Sequence, residues 1–189
     1  MSFDYLQKVT LKNGESYSYR EMGSGDDIFI LLHGNMTSSK HWDVLVDKFQ
    51  EDFRIIAPDL RGFGGSSYNK EISSLKDFSD DLKEFVDALD IKSFYLCGWS
   101  TGGGVAMQFS ANHNEYVKKL ILVESVGIQG YPILKKNELG QPIPGSLLKT
   151  KEEIAADPVQ VAPVLEALKT RNKKFYRMVW NASIYTNNK

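Results

Sequence analysis

Apolar and polar residues alternate over the first twenty positions. Val9 and Leu11, then Tyr17 and Tyr19, are spaced by polar residues, and Asn13-Gly14 lies between the two runs. That pattern predicts an antiparallel hairpin over about 6–22, closed by Gly23-Ser24-Gly25. Ile28-Phe29-Ile30-Leu31-Leu32 is continuously apolar, which predicts a strand covered on both faces. Trp42, Leu45, Val46 and Phe49 recur at helical spacing, and Ser38 or Ser39 is placed to cap that helix. Phe53-Arg54-Ile55-Ile56-Ala57 predicts the next strand. Leu75, Phe78, Leu82, Phe85, Val86 and Leu89 then form one face of a helix, with Lys76, Asp80, Lys83, Glu84 and Asp87 turned to water. A strand over 94–97 turns at Ser100 into a helix that runs to about His113. Val117 to Val123 predicts a further buried strand, stopping at Glu124.

Beyond Ser125 the pattern breaks. Gly127, Gly130, Pro132, Gly140, Pro142, Pro144 and Gly145 interrupt both periodicities, and no strand is predicted there. From Lys151 the spacing is helical again, over 152–156, 159–168 and 175–184. The chain therefore divides into a strand–helix core, 1–125, and a helical segment, 126–189. Strands separated by helices predict an α/β fold, a mostly parallel sheet with helices on both faces. Ligands of such sheets bind at the carboxyl ends of the strands. The loops after Leu32, Ala57 and Cys97 all leave carboxyl ends and converge on one rim.

Composition narrows the function. A formal charge of -1 argues against a nucleic-acid partner. The lone Cys97, in an apolar strand, reads as a core residue. No apolar run is long enough to span a membrane, and Met1-Ser2-Phe3-Asp4 is not a signal peptide, so a cytoplasmic location is the default. Three histidines and one cysteine, with no ligand-spaced cluster, indicate no metal site.

The chemistry gathers at Gly98-Trp99-Ser100-Thr101-Gly102. This G-x-S-x-G pattern, between a strand and a helix, marks a sharp corner that presents a serine hydroxyl. Glycine in a helix costs about 1 kcal/mol relative to alanine, so Gly102-Gly103-Gly104 needs a compensating reason, which close packing at the corner supplies.

With His33-Gly34-Asn35 after the third strand and Asp59-Leu60-Arg61-Gly62-Phe63-Gly64-Gly65-Ser66 after the fourth, the chain resembles the α/β-hydrolase superfamily over residues 5–125. The resemblance implies that Ser100 is the nucleophile and that the backbone N–H groups of Thr101 and Asn35 form the oxyanion hole. It implies a small ester-like substrate, no cofactor, and a cap after the sixth strand. Trp99 and Trp180 are candidate substrate contacts, and Tyr176 and Tyr185 candidate pocket walls. His33-Gly34-Asn35 with Trp42 is also similar to the haloalkane dehalogenases, which carry an aspartate where Ser100 stands; dehalogenation is not expected. The glycine run is similar to the perhydrolase branch, where a Glu commonly stands at the place of Val105. Asp59, Arg61 and His33 read as loop-ordering residues, with Arg61 pairing locally, and His41 as a surface residue.

The superfamily orders its triad Ser, then Asp or Glu, then His. None of the three histidines, at 33, 41 and 113, lies beyond the sixth strand. The acid and base are therefore expected in a missing C-terminal portion or a second chain, with the last two core strands. Glu124 is a candidate acid. Two other classes stay open: a non-catalytic binding protein of the same fold, and a nucleotide-binding module read from Gly98-x-Ser100-x-x-Gly103 with Glu124 as ribose partner.

Overall fold

The computed structural model describes residues 5–183 apart from 47 and 49–51. The chain divides into two compact units, 1–130 and 131–189. The first contains a six-stranded sheet. Its strands are β1 (Leu6–Thr10), β2 (Ser16–Met22), β3 (Asp27–Leu32), β4 (Phe53–Pro58), β5 (Phe94–Trp99) and β6 (Val117–Val123), in the spatial order β1-β2-β4-β3-β5-β6. β3, β4, β5 and β6 run parallel, and β1 and β2 are antiparallel additions at the β4 side. The carboxyl ends of β3, β4 and β5 thus share one rim, as the strand–helix pattern predicts.

The predicted hairpin forms, with Gly14 at φ 89 in its turn. Its inward Tyr17 and Tyr19 join Ile30, Leu32, Ile56 and Leu96 from the sheet, and Leu82, Phe85 and Val86 from the helix α2 (Leu75–Ala88), in one core. Ser74 and Asp77 form a reciprocal cap at the start of α2. Its charged face is only partly solvated: Lys76 pairs with Asp80 in water, while Lys83 is half-buried, pairs with Asp87 and lies 4.7 Å over the Tyr116 ring. α3 (Thr101–Asn112) follows β5.

Three expectations fail. The helix predicted from Trp42 is only a 3-10 turn, Ser39–Trp42, and a single α-turn, α1 (Asp43–Val46). Its expected member Phe49 lies outside the described residues. Ser38 does cap it, accepting from the Lys40 N–H.

β6 is not buried. Leu120, Ile121, Leu122 and Val123 are 38%, 37%, 43% and 40% exposed. It pairs with β5 alone and ends the sheet, so one backbone edge and much of both faces lack a neighbour among the described residues. An apolar run reports that a strand needs cover, not that the cover is at hand. A groove of about 370 Å³ beside it is lined by Leu75, Met107, Ala111, Leu120 and Ile128.

The second unit holds a two-stranded antiparallel sheet, β7 (Leu134–Lys136) and β8 (Pro142–Leu147), where no strand was predicted. The Asn137 side chain accepts from the Leu139 and Gln141 N–H groups, and Gly140 takes φ 76; this turn pairs the strands despite Pro142 and Pro144. α4 (Lys151–Ala155), α5 (Ala162–Lys169) and α6 (Lys173–Ser183) follow. The Tyr176 hydroxyl donates to the Val164 carbonyl and ties α6 to α5. The predicted end of this helix at Ile184, and Tyr185, lie outside the described residues. No helix among the described residues is long and apolar enough to cross a membrane.

Candidate active site

At the end of β5 the backbone of Ser100 adopts φ 53, ψ -118. A non-glycine residue there is strained by about 1–3 kcal/mol, and only over-determined surroundings hold it. They are present: the Ser100 N–H donates to the Val123 carbonyl, and the Ser100 carbonyl accepts from Gly103, Gly104 and Val126. The hydroxyl does not cap the helix it opens. A serine at a helix start usually spends its oxygen in this way; here the oxygen is left for other chemistry. Thr101 is the first residue of α3, so its N–H has no intrahelical acceptor.

The glycines are steric requirements of this corner. A Cβ on Gly98 would lie 2.6 Å from the Gly103 nitrogen, and one on Gly102 would lie 2.5 Å from the His33 carbonyl oxygen. Elbow strand, elbow helix and the β3 loop therefore touch through backbone. Gly102→Ala is expected to disorder the elbow, at a cost of about 3 kcal/mol or more, because backbone rather than a flexible side chain would have to move. Urea denaturation reads the loss.

The loop after β3 packs onto the elbow. A Cβ on Gly34 would lie 2.7 Å from the Trp99 ring and 3.0 Å from the Ser100 Cβ. Asn35, next in the chain, is exposed. Trp99 is 8% exposed, and its ring is stacked with His41 at 4.1 Å between centroids, 8° from parallel. His41 is thus half-buried against the elbow, not a surface residue: the 3-10 turn folds back and offers its imidazole as a lid for the indole. Trp180 belongs to α6 in the second unit, where it is half-buried.

His33 is fully buried. Its Nε2 lies 2.9 Å from the Leu60 nitrogen, and its Nδ1 2.8 Å from the Gly34 carbonyl oxygen. An amide can only donate, so Nε2 accepts, and the ring proton sits on Nδ1. Burial pushes the imidazole below its ordinary 6.5, against the opposing pull of Gly34 and Asp59. Burial lowers His41 as well. The unfolded chain then binds protons that the folded one refuses, so stability should fall as pH drops from about 6.5 towards 5, by at most about 1.4 kcal/mol per pH unit per histidine. His33→Gln should flatten that segment of a plot of urea midpoint against pH.

Arg61 reaches its own loop only through an Nη1 bond to the Lys70 carbonyl at 3.3 Å; its ionic partner lies on α2. Its Nε donates to Asp81 of α2 at 2.7 Å, and its Nη2 to the other Asp81 oxygen. Asp81 also accepts from the Tyr17 hydroxyl at 3.0 Å and from the Asn13 side chain at 2.6 Å. Glu15, wholly buried beside Arg61, accepts from Ser67 and from the Asn69 and Lys70 N–H groups. Burial pushes the Glu15 carboxyl up, but the Ser67, Asn69 and Lys70 hydrogen bonds and Arg61 outweigh it and hold the group below its ordinary value. The sequence carried a signal for Asp81, an acid three residues after Phe78 and four before Phe85, on the apolar face of α2.

Glu124 follows β6 with φ 40 and is exposed. Burial pushes the Cys97 thiol up to about 11, in keeping with its reading as a core residue. Among the described residues, no group of three or more His, Cys, Asp or Glu side chains could hold a metal ion.

A family profile described as alpha/beta hydrolase fold matches residues 27–183. The chain is 30% identical over 148 residues to a soluble epoxide hydrolase of Corynebacterium sp., covering 78% of this chain and 50% of that protein. It is 32% identical over 133 residues to a bifunctional esterase/perhydrolase of Acinetobacter calcoaceticus, covering 69% and 47%. Among solved structures, a membrane phospholipase A superposes with a TM-score of 0.62 at 28% identity, covering 70% of this chain and 42% of that one. The chain spans about a third to a half of the length of the curated relatives it matches.

Proposed function

The chain belongs to the α/β-hydrolase fold family, and from that premise we propose that it is the nucleophile-bearing part of a serine hydrolase for a carboxylic ester or related acyl compound. One observation carries the reading. Ser100 is held in a strained left-handed conformation at a strand-to-helix corner, with its hydroxyl unused by the helix. In this reading the Ser100 oxygen attacks the acyl carbon, and the Thr101 and Asn35 N–H groups hold the developing oxyanion. A histidine accepts the serine proton and passes it to the leaving group.

That histidine is proposed to come from outside these 189 residues. His33 already spends both ring nitrogens on backbone, and His41 is stacked on Trp99. His113 caps the far end of α3, about 18 Å along the helix from the serine. The open edge of β6 is the proposed place for further strands, and residues 126–189 the proposed cap. The 189-residue chain alone should show no turnover of p-nitrophenyl acetate. Turnover that disappears with Ser100→Ala would refute the missing-base reading. With its β6 edge open, the isolated chain should also self-associate, and Leu122→Lys should restore a monomer in analytical ultracentrifugation.

Glu124 is the second reading for the acid. It stands between Val123, whose carbonyl takes the Ser100 N–H, and Val126, whose N–H reaches the Ser100 carbonyl. Its positive φ is a strain with no evident structural return. Glu124→Gln in the complete enzyme tests it through kcat. Cleavage of a carbon–carbon bond beside a ketone, or perhydrolysis, would use the same Ser100 geometry; a substrate panel separates them. A binding protein without catalysis would fail to label with a fluorophosphonate even when complete. The nucleotide reading finds little support: Ser100 stands where its fingerprint needs the central glycine, and the Cβ positions of Gly98, Gly102 and Gly103 are filled by protein atoms.

A further inference from the structure

Two side chains, one from each of the loops after β3 and β4, hold the other loop's backbone. His33, at the end of β3, accepts the Leu60 N–H at 2.9 Å. Asp59, just after β4, accepts the Ser39 N–H at 2.7 Å and the Gly65 N–H at 2.8 Å. Both side chains are buried, His33 at 0% and Asp59 at 2% exposure. His33 further donates from Nδ1 to the Gly34 carbonyl, the peptide unit whose nitrogen belongs to Asn35. Ser39 opens the turn that carries His41 onto Trp99, and its hydroxyl accepts from Arg20 at 3.1 Å.

We propose that His33 and Asp59 form a reciprocal clasp that positions the Asn35 N–H against Ser100, so that both act as positioning residues for the oxyanion site. The inference rests on the acyl-transfer reading above for its catalytic consequence, and on the geometry alone for its structural one. Gly34 packs against Trp99 and Ser100, but residues 35–38 beyond it are exposed or half-buried. Asn35 is exposed, Met36 takes φ 59, and α1 is a single turn. Side-chain hydrogen bonds hold this segment at its two ends: His33 with the Gly34 carbonyl at one, and Asp59 with the Ser39 N–H at the other. The peptide orientation of Gly34–Asn35 follows from the Nδ1–H bond, because rotating that peptide to turn the Asn35 N–H away would also carry the Gly34 oxygen off the imidazole. The clasp requires the Nδ1–H tautomer, since protonation of Nε2 would set two donors, the ring and the Leu60 N–H, against each other.

Residue-resolved amide hydrogen exchange on the 189-residue chain tests the structural half without any turnover. His33→Ala should speed exchange at Leu60 and at 34–37 by about tenfold, with the amides of β1, β2 and α2 unchanged. His33→Gln, whose amide oxygen can still accept from Leu60, should restore Leu60. Asp59→Ala should speed Ser39 and Gly65 and, through the shared loop, 34–37 as well. A uniform rise across the chain, or unchanged exchange at 34–37 while Leu60 accelerates, would overturn the clasp. If His33→Ala does not fold, the Gln and Asp59 variants decide the same question. In the complete enzyme, His33→Ala should lower kcat by about a hundredfold with KM little changed, and His33→Gln should recover most of it. Localised exchange changes together with no turnover in any variant would sustain the clasp and sink the acyl-transfer reading instead.

Discussion

Ser100→Ala should abolish fluorophosphonate labelling of the complete protein and, on the proposed mechanism, lower kcat on the order of 10⁶-fold. The size follows from the chemistry. Under the serine-hydrolase proposal, removing Ser100 would leave only binding and the proposed oxyanion donors, so a residual rate above water of about 10³-fold should persist. The same substitution should barely disturb the fold. The Ser100 hydroxyl caps nothing, and its carbonyl and N–H, which hold the elbow, belong to the backbone. Alanine carries the positive φ about as badly as serine does, so the strain is unchanged. Near-wild-type urea midpoints with lost labelling would support a catalytic serine. Retained labelling would move the nucleophile elsewhere, and collapse of the fold would make Ser100 a structural residue.

Much of this site was legible because apolar runs mark strands and close-set glycines mark a backbone corner, even where a run does not report whether its cover is present. The runs 28–32, 53–57 and 94–97 became β3, β4 and β5, and their carboxyl ends meet as parallel pairing requires. Gly98 and Gly102 marked a corner at which backbone meets backbone, and the structure shows the atoms that forbid a Cβ there. Other features had no local signature. His41 reads as a surface residue at a helix start; only folding of the 3-10 turn brings it over Trp99. The Arg61 partner lies twenty residues on, and the hydrophobic period of α2 hides an acid among its apolar positions unless that acid is sought. β6 misled in the opposite direction. Its apolar run has the composition of a covered strand, but its two faces stay 37–43% exposed at Leu120 to Val123. The hairpin of β7 and β8 was hidden by its prolines, which sit on a short two-stranded sheet where few ladder bonds are lost.

Asp81→Ala should destabilise the first unit by about 3–5 kcal/mol, a large share of what a domain this size has to lose. Arg61 is 6% exposed and Asp81 0%, so deleting the carboxylate strands a guanidinium in the core. Glu15 cannot take its place: its oxygens are engaged by Ser67, Asn69 and Lys70, and it stands 3.8 Å from the Arg61 Nε. The Tyr17 hydroxyl and the Asn13 side chain would lose their acceptor in the same stroke. Arg61→Ala should cost less than Asp81→Ala, because Asp81 keeps Tyr17 and Asn13 as donors. Replacing both by leucine should not rescue stability, unlike an isolated buried pair, since those two donors stay unsatisfied. Function should follow stability through the loop: Arg61 and Glu15 together fix 61–70, and Leu60 at its start is the amide that His33 holds. Urea midpoints of the three variants give the order. An Asp81→Ala loss below about 1 kcal/mol would show that water reaches the Arg61 site and that the network is no anchor.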